Sequence, residues 1–142
     1  MKKLVGSFIL FTLFACSVEP TKNEQSIKGI GPIDTLILEP INDSIMKIGM
    51  NTFTSKCTSC HTMEYKNSGP DLSNILARRQ PEWVMNFLLN QKEMLEKDSI
   101  SIKTNQKFEG NCNLTITSQE EAFALLEYFR IYQIWLHEFN AK

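Results

Sequence analysis

From residue 118 to the C-terminus, apolar side chains return every three or four positions: Ala122, Leu125, Leu126, Phe129, Tyr132 and Leu136. That is the 3.6-residue period of an amphipathic helix. Thr117-Ser118-Gln119-Glu120 just before it has the spacing of a capping box, so the pattern predicts a helix over 118–138. A second helical rhythm runs through Ile45, Ile48, Gly49, Thr52, Phe53 and Lys56, with Asp43 or Ser44 as its N-cap. Residues 72–79 suit a short helix. Pro81, favourable in a first turn, opens another through Trp83, Val84, Phe87, Leu88 and Gln91. Residues 98–115 are polar, contain Gly110 and read as an irregular loop. No stretch alternates with the period of two that a half-buried strand requires, so the predicted class is all-α, a bundle of four to five helices.

The first 43 residues follow a different pattern. Lys2-Lys3 precedes an apolar run over 4–15, too short to span a bilayer and arranged like a signal peptide. Leu13-Phe14-Ala15-Cys16 resembles a bacterial lipobox, which makes Cys16 the lipidation site and first mature residue. Residues 17–43 are mostly polar, with Pro20, Gly29, Gly31, Pro32 and Pro40. They read as an extended tether, with Leu36-Ile37-Leu38 as an apolar patch able to dock. The predicted organisation is a signal peptide over 1–15, a flexible tether over 16–43 and one domain over 44–142. It implies a lipid-tethered protein on the extracytoplasmic, periplasmic side of a membrane. With 15 basic and 16 acidic residues, the net charge of −1 gives no basic field for nucleic acid.

Cys57-Thr58-Ser59-Cys60-His61 is the motif that carries chemistry. Its C-x-x-C-H spacing is that of covalent c-type haem attachment. Two cysteine sulfurs add across the vinyl groups of one haem edge, and the adjacent imidazole of His61 reaches the iron as the proximal ligand. A thioredoxin-like redox pair would follow a strand, and none is predicted here. A zinc site would need four closely spaced ligands, and only Cys112 and His137 remain elsewhere in the predicted domain. The expected cofactor is therefore one haem c, bonded through Cys57 and Cys60. With Cys16 taking lipid, Cys112 is left over.

Residues 44–138 resemble a small monohaem cytochrome c of the bacterial class I type. Gly49, Phe53 and Cys57 are spaced four apart, as on that family's N-terminal helix, and Leu125 and Tyr128 match its C-terminal Leu and Tyr pair. The resemblance implies crossed terminal helices, with the glycine at the crossing and the phenylalanine against a C-terminal-helix aromatic. Gly69-Pro70-x-Leu72 is similar to the family's Gly-Pro loop, in which the proline carbonyl accepts the other N–H of the haem histidine. That contact fixes the ring and raises its basicity. Arg78 sits where the family often places a haem-propionate partner, and Trp83 is a second candidate for that group.

The family normally supplies a sixth iron ligand, a methionine, from the loop before its last helix. Residues 101–116 hold no methionine, and Cys112 is the best ligand there. Three readings stand: Cys112 as a thiolate ligand, Met94 moving in to give the usual histidine and methionine pair, or a vacant or weakly held position. The function implied is electron transfer and not enzymatic turnover, between redox partner proteins that dock transiently on a monomer. Lys92, Lys97, Lys103 and Lys107 form a candidate docking rim. The alternative is a haem protein that binds NO or CO at a labile distal site. Weak peroxidase chemistry is a third reading, without a distal His and Arg pair at a recognisable spacing.

Overall fold

The computed structural model describes residues 27–108 and 115–140, and the secondary structure among them is helical. The expected signal peptide, Cys16 and Cys112 lie outside these residues. No described helix is long and apolar enough to cross a membrane.

Helix α1 spans Asp43–Lys56 and helix α6 spans Gln119–Asn140. The cap of α1 is Asn42, one residue earlier than expected, its side-chain oxygen accepting from the N–H groups of Ser44 and Ile45 at 3.0 and 3.2 Å. The capping box of α6 falls one residue later than the predicted pair. Ser118 Oγ accepts from Glu121 N–H at 3.2 Å, while the Glu121 carboxylate reaches back to Thr117 N–H at 2.9 Å. Met46, Gly49, Thr52 and Phe53 line one face of α1 and are buried. Gly49 is the crossing point, since a Cβ there would fall on the Ala124 backbone carbonyl of α6. Phe53 then packs between Tyr128 and Phe129, with ring centroids 5.4 and 6.1 Å away. The glycine and aromatic contacts that the resemblance implied are therefore present.

Four shorter helices complete the wrap: α2 over Ile75–Arg78, α3 over Pro81–Leu89, α4 over Gln91–Lys97 and α5 over Ser99–Phe108. The predicted continuation of α3 to Gln91 breaks at Asn90, which joins α3 to α4. Helix α5 occupies much of the segment expected to be irregular. The buried Asp98 carboxylate explains it, accepting from Ser101 N–H and Ser101 Oγ at 2.7 Å each and from Trp83 Nε1–H at 3.3 Å. Asp98 thus caps α5 and ties its start to α3.

The expected free tether also differs over its described part. Asn86, buried on α3, accepts from Ile33 N–H at 2.8 Å and donates to the Ile33 and Lys28 carbonyls at 2.8 and 3.0 Å. Glu82 holds Leu36 N–H, and Arg130 of α6 donates to the Glu39 carbonyl. Ile33 is buried, and Leu36 and Leu38 pack on the core. Residues 28–39 therefore form a strap, because internal side chains satisfy backbone groups that a free tether would leave to water.

Candidate haem-binding site

Helix α1 ends at Lys56, and the turn after it presents the motif. The N–H groups of Cys60 and His61 both bond the Cys57 carbonyl, at 3.0 and 2.8 Å. This turn places Cys57, Cys60 and His61 on the wall of one cavity of about 690 Å³. The volume lies within the roughly 300–1,000 Å³ typical of small-molecule and cofactor sites. Leu72, Ile75, Val84, Phe87, Leu88 and Phe129 give it an apolar lining.

His61 Nδ1 lies 2.8 Å from the Pro70 carbonyl oxygen. A proline carbonyl only accepts, so Nδ1 carries the proton and donates. The Nε2 lone pair is thereby left for a metal. The loop is laced to the motif by Gly69 N–H on the Cys60 carbonyl at 2.7 Å and Leu72 N–H on the Thr62 carbonyl at 2.9 Å. Gly69 has a further role that its place in a Gly-Pro turn did not announce. A Cβ at that position would stand 2.7 Å from His61 Nδ1, so the ring lies against bare backbone.

Cys57 is buried, and that burial pushes its thiol up to about 11, with Lys56 opposing the rise and Glu121 adding to it. A neutral sulfur is favoured there, and a thioether is neutral. Cys60 is disulfide-bonded in this structure, unlike the thioether expected from the sequence. A thioether at Cys60 would need its free thiol, so Cys60 would hold a haem only with that disulfide reduced. Among the described residues no cluster of three or more His, Cys, Asp or Glu side chains could hold a bare metal ion. The donor set is one imidazole and two sulfurs beside an apolar cavity, which fits haem c and not a naked ion.

Among the described residues six cationic side chains, Lys56, Lys66, Arg78, Arg79, Lys103 and Lys107, line the cavity against one carboxylate, Asp71. Arg78 is on the wall as expected but bonds the Asp71 carbonyl at 2.7 Å and its carboxylate at 3.4 Å. The Trp83 ring also lines the cavity, yet its indole N–H goes to Asp98 and not toward a propionate. Arg79 was not singled out from the sequence. It stacks 5.2 Å over the Trp83 ring, and burial together with Arg78 lowers its affinity for a proton, leaving a cation suited to an added anion. Trp83 is only four residues further on, but Pro81 interrupts the helix between them, so helical spacing did not mark Arg79 out from Arg78.

The rest of the wall comes from α4 and α5 and includes Gln91, Leu95, Ser101, Thr104, Asn105 and Phe108. Met94 is not on it. The Met94 side chain is fully buried, and its sulfur accepts Ile30 N–H of the strap at 2.9 Å. The structure thus places Met94 under the strap, against Gly29 and Ile30, with Cys112 outside the described residues. Among those residues the cavity wall offers no sulfur or imidazole beyond the C-x-x-C-H motif.

No protein-family model and no curated protein matches the chain. Solved structures do. The chain is similar to a cytochrome c from Rhodothermus marinus, with 28% identity, a TM-score of 0.73, and coverage of 78% of this chain and 97% of that one. It is 30% identical to an engineered form of that protein, covering 80% of this chain and 99% of the other at a TM-score of 0.72. A further engineered form, bound to a carbene intermediate, is 29% identical with a TM-score of 0.70.

Proposed function

The chain belongs to the cytochrome c family, and on that premise we propose that it is an electron carrier with one haem c on Cys57 and Cys60, serving extracytoplasmic redox partners. Haem supplies an iron that cycles between ferrous and ferric states; the chain supplies ligation, low dielectric and exclusion of water. One observation carries the reading: His61 is held by the Pro70 carbonyl with its second nitrogen free, beside two cysteines on an apolar cavity.

The residues divide the work. Gly69 and Pro70 set the plane and tautomer of His61, and a donor whose Nδ1–H is already engaged is a stronger ligand. Arg79 on the cavity wall is placed for a propionate, whereas Arg78 is held by Asp71 and Lys56 by Glu121. Lys103 and Lys107 at the cavity, with Lys92 nearby, offer a partner a cationic rim, whereas Lys97 is engaged by Glu93 at 2.8 Å. Docking there is small and transient, under about 1,200 Å² as in other redox encounters. The signal-like N-terminus and the lipobox-like Cys16 support a lipoprotein held at the periplasmic face of a membrane.

A second reading, binding of NO or CO, is favoured by the described cavity wall, which has no methionine, cysteine or histidine beyond the motif. Carbon monoxide added to reduced, haem-loaded protein at neutral pH separates the two. The carrier reading expects no rapid spectral change, and a rapid one transfers the weight to ligand binding. Replacing Cys112 by Ser then shifts the spectrum and potential if Cys112 holds the sixth position, and leaves both unchanged if it does not.

A further inference from the structure

Phe129 of α6 lies on the haem cavity wall, and from it a line of rings runs out along the same helix. Phe129 to Tyr128 is 6.2 Å between centroids, Tyr128 to Tyr132 is 6.2 Å, and Tyr132 to Trp135 is 6.3 Å. The last three rings stand at i, i+4 and i+7, on one face of the helix. Core packing accounts for Phe129, which is buried, but not for the outer end, where Trp135 is 47% exposed. At that end Glu64 shares a groove of about 500 Å³ with Tyr132 and Trp135. Glu64 and Asp71 also bear electrostatically on the Tyr132 phenol. Negative charge beside the phenol favours a positive charge on its ring, hence loss of an electron from it.

We propose that Tyr128, Tyr132 and Trp135 form an electron relay from the protein surface to the haem cavity, with Trp135 as the terminal donor when a peroxide oxidises the site. The proposal rests on the haem reading above. The chemistry balances with hydrogen peroxide as oxidant. Its O–O bond breaks as two electrons and two protons convert it to two waters at the cavity. The electrons come through the relay from Trp135. There an indole C–H becomes C–OH with oxygen from a solvent water, releasing two electrons and two protons. The net change is one peroxide and one tryptophan to one water and one hydroxytryptophan. The device protects the haem, because oxidation falls on an exposed surface ring.

The experiment treats the full-length, haem-loaded protein with unlabelled hydrogen peroxide in oxygen-18 water and maps oxidised peptides by mass spectrometry. The relay predicts labelled oxygen at Trp135. Tyr132→Phe retains the ring but removes the readily oxidised phenol, and the label at Trp135 is then lost while the visible spectrum of the untreated protein is unchanged. Unlabelled oxygen at Trp135 would mean direct attack by peroxide and overturns the relay, as does equal labelling in Tyr132→Phe. A colourless preparation overturns the haem reading and the relay together. Coloured protein whose Trp135 stays unlabelled overturns the relay alone.

Discussion

At the scale of single residues, the site depends on how one imidazole is held. His61 is fixed from two sides, by a hydrogen bond to the Pro70 carbonyl and by contact with the bare backbone of Gly69. Gly69→Ala puts a methyl into the ring, so we expect loss of the Pro70 bond and a shifted visible spectrum or reduced haem content; an unaltered spectrum would show that the ring has room. Met94→Leu is the contrasting change. Its sulfur bonds the strap, so the spectrum is expected to stay constant while stability falls by about 1–3 kcal/mol, because leucine leaves the Ile30 N–H without its acceptor. A spectral shift in that variant would mean that the sulfur reaches the iron. The motif was legible because its chemistry lies within five residues of chain, and the Pro70 partner because the Gly69-Pro70 loop resembles that of a known family. The engagement of Trp83 by Asp98 was not, since it joins residues fifteen apart on neighbouring helices, and the stacking of Arg79 on Trp83 was not, since it depends on how the chain turns between α2 and α3.

At the scale of elements, the crossing of α1 and α6 and the docking of the strap give the cavity its shape. Gly49→Val would drive a branched side chain into the Ala124 carbonyl, and overpacking of this kind costs about 1–3 kcal/mol. A melting temperature equal to wild type would place the crossing elsewhere. Asn86→Ala strips the strap of three hydrogen bonds and leaves the Ile33 backbone groups unsatisfied, with a loss of about 1–3 kcal/mol expected in denaturant unfolding. Proteolysis should then cut within 28–39 before the domain unfolds, and resistance equal to wild type would contradict the strap. The two long helices were legible because their apolar stripes repeat over many turns. Helix α5 was not, because its sequence is polar and its start depends on Asp98, a cap whose strength comes from burial beside Trp83 and Ser101. The strap was hidden for a related reason: its Gly and Pro content suits a linker, and only the Leu36 to Leu38 patch pointed to docking.

At the scale of the whole molecule, a chain of net charge −1 gathers six cations around the cavity. Asp71, the carboxylate among them, is held below its ordinary value by the Ser73 hydroxyl, with Arg78 adding to the effect. Glu121 is lowered first by Lys56, across the α1 and α6 ends. A carboxyl with a lowered folded value stabilises the protein fully above its unfolded value of about 4, and the contribution fades as pH falls below that. The melting temperature is therefore expected to hold level above about pH 5 and fall on acidification, less steeply in Asp71→Asn. Equal slopes would remove Asp71 from the balance. The central claim is that a haem is bonded to Cys57 and Cys60 with His61 on its iron. The most direct measurement is the mass and the oxidised and reduced optical spectrum of protein matured in a host that attaches haem. The account predicts a coloured protein, heavier than its chain by one haem that survives denaturation, losing that mass when both cysteines are changed to alanine. A colourless protein with the mass of the bare chain would contradict it.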